Sequence, residues 1–159
     1  MSQELTLEVA QKFLQDNDAV NLNKFKSIAA AAAEALGKHK KWLNLLDLSG
    51  LTTLSDAAAE ALGKHEGYLD LSGLTTLSDV AAEGLGKNEG TLGLRGLTTL
   101  SAAAAEALGK HKGDLSLPGL TTLSAAAAKA LAKHEGDLYL IGVVEAAVTR
   151  ARKKLKQGK

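Results

Sequence analysis

The chain has 159 residues, 45% of them hydrophobic, and a net charge of +1. That is enough for one domain with a packed core, and too little charge for a field that would draw nucleic acid or an anionic membrane. It has no cysteine, which excludes a disulfide framework, a thiolate metal site and a cysteine nucleophile. No stretch is long and apolar enough to span a bilayer, and the opening MSQELTLEVAQKFLQ has early acidic residues and no unbroken apolar run. Neither a membrane span nor a secretory signal is expected, and a cytoplasmic location is the default. Phe13, Phe25, Trp42, Tyr68 and Tyr139 are the only aromatics, so leucine and alanine must build the core.

In chain order, residues 4–16 predict a capping helix with Leu5, Val9 and Phe13 turned inward. A degenerate unit follows, in which Val20, Leu22, Phe25 and Ile28 have the spacing of Leu69, Leu71, Leu74 and Leu77. The stretch KKWLNLLDLSG is three residues longer than its later counterpart EGYLDLSG. Trp42 to Leu45 fits the upstream register and Leu46 to Leu48 the downstream one, so a bulge or a longer loop is expected there.

From Gly50 the pattern is overt. GLTTLS begins at Gly50, Gly73, Gly96 and Gly119, in steps of 23 residues. In YLDLSG, Leu69 and Leu71 alternate with polar neighbours, the signature of a half-buried strand. Ser55, Ser78, Ser101 and Ser124 stand where helix N-caps belong, and the Ala-rich runs behind them have high helix propensity. Glu60–Lys64, Glu83–Lys87 and Glu106–Lys110 have favourable i,i+4 spacing; in the last unit the pair is Lys129–Lys133. Gly67, Gly90, Gly113 and Gly136 are expected as left-handed C-cap residues. Residues 143–156 predict a terminal helix with Val144, Val148, Ala151 and Leu155 on one face and Arg150, Arg152, Lys153 and Lys154 on the others.

No unit can bury its apolar face alone, so the expected fold is a single α/β solenoid: cap helix in 1–17, strand–helix repeats in 18–142, and cap helix with basic tail in 143–159. Strands pair at about 4.8 Å and helices pack at about 8–10 Å. The mismatch predicts a parallel sheet on the concave side and helices on the convex side, with a shallow arc because alanine lets helices approach.

The LxL strand with spaced leucines resembles the leucine-rich-repeat family over residues 20–142, and LDLSGLTTLSDAAAEALGKHEG looks most like the Ala-rich, helix-containing bacterial repeats of long tandem arrays. The resemblance implies that fold and, since members mostly bind proteins, a protein partner; the fold has no fixed chemistry. The family's Asn or Cys after LxL is missing. Gly73, Thr75 and Thr76 occupy that turn, and a threonine ladder is the expected replacement, because the turn's backbone groups still need partners.

His39, His65, His111 and His134 recur at one repeat position, with Asn88 in the same place in one unit. A metal row is one reading. Helix-end side chains bonding free carbonyls is the stronger one, since Asn caps a carbonyl well but is a poor transition-metal ligand. No nucleophile motif, phosphate loop or paired carboxylates point to an enzyme, and no cofactor is expected. The basic terminal helix has only small apolar residues besides Leu155, which argues against membrane insertion.

The strand-flanking residues vary along the repeats. Tyr68, Thr91, Asp114 and Asp137 form one row, Asp70, Gly93, Ser116 and Tyr139 a second, and Ser72, Arg95, Pro118 and Ile141 a third. Lys64, Lys87, Lys110 and Lys133 on the helices do not vary. The expected partner-binding set is therefore Tyr68, Asp70, Ser72, Thr91, Arg95, Asp114, Ser116, Asp137 and Tyr139, on the concave face. Two readings follow: a non-catalytic scaffold for an unknown protein partner, or a structural, self-associating spacer such as a designed or excerpted array. Monomer or weak self-association fits both, without nucleic acid or membrane.

Overall fold

A computed structural model describes residues 3–38 and 45–158. Strands and helices alternate: β1 (Glu4–Leu5), α1 (Leu7–Gln15), β2 (Ser27–Ile28), α2 (Ala30–Lys38), β3 (Leu45–Asp47), α3 (Asp56–Leu62), β4 (Tyr68–Asp70), α4 (Asp79–Leu85), β5 (Leu92–Gly93), α5 (Ala102–Gly109), β6 (Leu115–Ser116), α6 (Ala125–Leu131), β7 (Leu138–Tyr139) and α7 (Gly142–Gln157). The class is α/β. A five-stranded parallel sheet runs β3-β4-β5-β6-β7 in chain order, and each helix packs on the next.

The register is the sequence period made physical. Leu46 pairs with Leu69, Leu69 with Leu92, Leu92 with Leu115 and Leu115 with Leu138. From Leu48 to Leu117 the strand leucine N–H groups donate forward, as Leu69 does to the Thr91 carbonyl and Leu71 to that of Gly93. The alternation buries one face: Leu46, Leu48, Leu69, Leu71, Leu92, Leu94, Leu115 and Leu117 are fully buried, each contributing about 1.5–3 kcal/mol by leaving water. Ala58, Ala59, Ala81, Ala82, Ala104, Ala105 and Ala127 form the buried helix side of the core. The N-caps are those expected: Ser55, Ser78, Ser101 and Ser124 accept from the amide three residues on.

A second, thinner ladder runs along the turns ahead of the helices. There β1 pairs with β2 in parallel, Leu5 opposite Ile28. Thr52 donates N–H and Oγ1–H to the Lys26 carbonyl, and Thr121 does the same to the Thr98 carbonyl. Threonine therefore does link turns at these two junctions. The 26-residue step from Lys26 to Thr52, against 23 from Thr98 to Thr121, puts the three extra residues between Lys26 and Leu46, since Leu46 already keeps the 23-residue step to Leu69. The expected bulge or loop itself, with His39 and Trp42, lies outside the described residues.

The structure corrects the expected frame at four places, the first being that Leu5 lies on β1 and the cap helix expected over 4–16 begins only at Leu7. Residues 20–22 form no LxL strand: Leu22–Lys24 is a 3-10 turn capped by the Asn21 side chain. Its Asn23 donates to Asp47 at 3.3 Å, and its backbone packs where a Cβ on Gly50 would stand. That segment lies beside the start of the sheet instead of extending it. The glycines ahead of the strands are not left-handed caps either. Helices α3, α4 and α6 end four to five residues sooner, on right-handed residues Gly63, Gly86 and Ala132. Gly90, Gly113 and Gly136 are required instead by close approach: a Cβ there would lie 2.3, 1.8 and 2.3 Å from the carbonyl oxygen of the glycine one unit earlier. The positive-φ glycine among the described residues is Gly142, at +62°, where the chain leaves β7 for α7. Finally, Lys110 pairs with Glu106 at 3.5 Å as predicted, but Lys87 reaches back to Glu60 of the preceding helix at 3.4 Å.

Candidate functional site: the outward face of the parallel sheet

The side chains that alternate with the buried leucines sit on the opposite face of β3–β7. All nine predicted residues are there, half-exposed or exposed, but they do different work. Asp70 accepts from both the N–H and the hydroxyl of Ser72. This side-chain turn ends the strand, and it repeats Asp47 with Ser49 one unit earlier, at 3.0 and 2.6 Å. Burial pushes the Asp47 carboxyl up, but the Ser49 hydroxyl, the Ser49 N–H and Asn23 together hold it below the usual carboxylate value. Asp70 and Ser72 are thus committed to the local backbone.

Tyr68 and Arg95 form one cluster. The Tyr68 ring lies over Gly93, where a Cβ would come within 2.8 Å of its Oη, and Arg95 donates to that Oη at 3.4 Å. Gly93, a member of the second varying row, is the notch that seats the tyrosine. Asp114 accepts the Asp137 N–H at 3.0 Å across the β6–β7 junction. Thr91 and Ser116 serve through their carbonyls, which accept from Leu69 and Leu94. Tyr139 stands apart at 59% exposure, with Ile141 at 60% and Val143 at 77% beside it. Three strand steps separate β4 from β7, about 14 Å, so Tyr68 and Tyr139 could anchor one ligand only if it spans that width.

The face is acidic. Asp47, Asp70, Asp114 and Asp137 face one guanidinium, Arg95, in a chain whose net charge is +1.

The histidine row is internal. His65, His111 and His134 are 1–4% exposed, with Asn88 at 1% between them. His111 and His134 stack at 6.0 Å with planes 6° apart. Their role as carbonyl-binding helix ends is corrected: the rings of His65 and His111 have no hydrogen-bond partner, and that of His134 nears the Asp137 backbone outside bonding geometry. The carbonyls are served from the next unit. Asn88 donates to the His65 carbonyl and Arg152 to that of His134 at 3.3 Å. Burial lowers the pKa of His65, with Glu66 opposing; burial also lowers that of His134, helped by His111 and Arg152. Among the described residues no three His, Cys, Asp or Glu side chains converge on a metal position, and no helix is long and apolar enough to cross a membrane.

Compared with models of known protein families and with curated proteins, the chain matches none.

Proposed function

We propose that the protein is a non-catalytic scaffold that binds another protein on the outward sheet face, in the manner of a short leucine-rich-repeat solenoid with its strands on the concave side. The observation that carries this reading is the contrast between a frame repeated unit by unit and side chains that vary along one face of it, with Tyr68, Arg95 and Tyr139 offering aromatic and guanidinium anchors. The acidic surplus favours a partner surface rich in Lys or Arg. The test is capture from lysate with wild type beside a Tyr68→Ala, Arg95→Ala, Tyr139→Ala variant. A protein lost by the variant, with circular dichroism unchanged, supports the proposal; equal capture by both refutes it.

Self-association is the second reading, and the end of the sheet favours it. Leu115 and Leu117 donate forward to the carbonyls of Asp137 and Tyr139. Leu138 on β7 and Leu140 just beyond it, the equivalents of Leu115 and Leu117, have no following strand among the described residues, and Tyr139 and Ile141 flank them exposed. An open edge of this kind templates another strand. Sedimentation velocity over a concentration series, with Ile141→Lys as control, decides whether copies assemble there.

A further inference from the structure

The groove between α6 and α7 differs from the one between α4 and α5. It holds about 590 Å³, with a floor that includes Leu123, Ala147 and Leu155 and a rim of Lys129, Arg150 and Lys154. No carboxylate lines it. The groove between α4 and α5, about 510 Å³, mixes Asp79, Glu83 and Glu106 with Lys87 and Lys110, so its lining carries both signs and no surplus of cations.

Part of the difference is a departure from the repeat. Lys129 stands where Glu60, Glu83 and Glu106 stand in the other units, four residues before Lys133. Like charges at that spacing cost a little helix stability. Arg150 and Lys154 are a second like-charged i,i+4 pair, on the facing helix. Three cations thus surround an apolar floor, contributed by two elements, and each repels the others until an anion lies among them.

We propose that this groove binds a free single-chain anionic amphiphile, its carboxylate or phosphate head held by Lys129, Arg150 and Lys154 and its alkyl chain laid over Leu123, Ala147 and Leu155. Arg and Lys supply charge-assisted donors for such a head group. The volume lies within the range of small-molecule sites, which are mostly apolar with a few convergent polar groups. The alanine-rich floor is smooth, which suits one unbranched chain.

The test is calorimetric titration of the full chain with dodecanoate below its micelle concentration, beside dodecyltrimethylammonium, vesicles of anionic lipid and an acidic amphipathic helical peptide. Dodecanoate should bind and the cationic amphiphile should not. Lys129→Glu, which restores the residue of the other units and so preserves the fold, should weaken dodecanoate at least about tenfold, the loss of one charge-assisted contact. Lys154→Gln should weaken it less, and Lys87→Glu, on α4's side of the array, should leave it unchanged. Thermal melts monitor the fold of each variant. Equal affinity for the two amphiphiles, no loss in Lys129→Glu and Lys154→Gln, or binding confined to vesicles or to the acidic peptide would each overturn the proposal.

Discussion

Ser78 Oγ accepts the Ala81 N–H at 3.0 Å and donates to Asp56 Oδ1 of the preceding unit at 2.5 Å, so one hydroxyl caps its own helix and ties it to the neighbour's first turn. Ser101 does the same with Asp79. Ser124 keeps only the cap, because Ala102 stands where the aspartate would be. Ser78→Ala should therefore cost about 1–2 kcal/mol and Ser124→Ala about 1 kcal/mol. Ala102→Asp should add roughly 0.5 kcal/mol by supplying Ser124 with an acceptor. Urea titrations measure all three; identical losses at Ser78 and Ser124 would show that the inter-unit bond contributes nothing.

The glycine column predicts position-dependent damage from the same small change. At Gly113 a Cβ would meet the Gly90 carbonyl at 1.8 Å, backbone against backbone. Gly113→Ala should destabilise by at least about 1–3 kcal/mol, because the two backbone segments lead straight into β5 and β6 and neither can retreat without disturbing their pairing. Gly142 has nothing within 4 Å but a φ of +62°, so Gly142→Ala should cost about 1–2 kcal/mol, from conformation alone. Thermal melts of the pair separate crowding from strain.

Acid should loosen the array from its interior. His65 and His134 have folded pKa values below the usual 6.5. A depressed histidine takes up its proton more readily when unfolded, so its stabilising contribution is complete above 6.5 and falls as pH drops through the folded value. Glu66 and Asp114 temper the effect; Arg152 and His111 deepen it at His134. Asn88 shows which neutral side chain the column accepts. A His65→Asn, His134→Asn variant should hold a flatter Tm between pH 7 and 5 than wild type, and parallel profiles would refute the idea.

Core depth can be graded along the ladder. Leu92 is fully buried, whereas Leu138 on the last strand is only half-buried. Leu92→Ala should cost about 2–5 kcal/mol and Leu138→Ala distinctly less. Chemical denaturation of the two variants tests this, and equal losses would mean that something covers β7 in solution.

The legible features were those whose cause lies within one unit. Alternating leucines declare a strand because period-two burial needs nothing else, and serine before an alanine run declares an N-cap because its hydroxyl reaches its own helix. What escaped was contact between units. The Ser78–Asp56 bond, the Tyr68 ring over Gly93, and the glycine carbonyls beneath Gly90 and Gly113 each join residues some 22 to 25 positions apart, where a single chain gives no hint of proximity. Asp70 and Ser72 varied like binding residues, yet they close a strand-ending turn, a pairing only two residues long that Asp47 and Ser49 already display. The first unit misled for a different reason: its leucine spacing fits, but Asn21 caps a 3-10 turn and removes Leu22 from any strand.

The constant register has a consequence for how such a chain can change length. Because Leu46, Leu69, Leu92, Leu115 and Leu138 are partners in series, duplicating or excising one whole unit by unequal recombination returns every surviving leucine, glycine and serine to an equivalent neighbour. Any other increment of an odd number of residues inside a strand would turn its leucines to the wrong face. Growth and shrinkage are thus tolerated in quanta of one unit, and the three-residue exception stands ahead of Leu46, the first partner in the series.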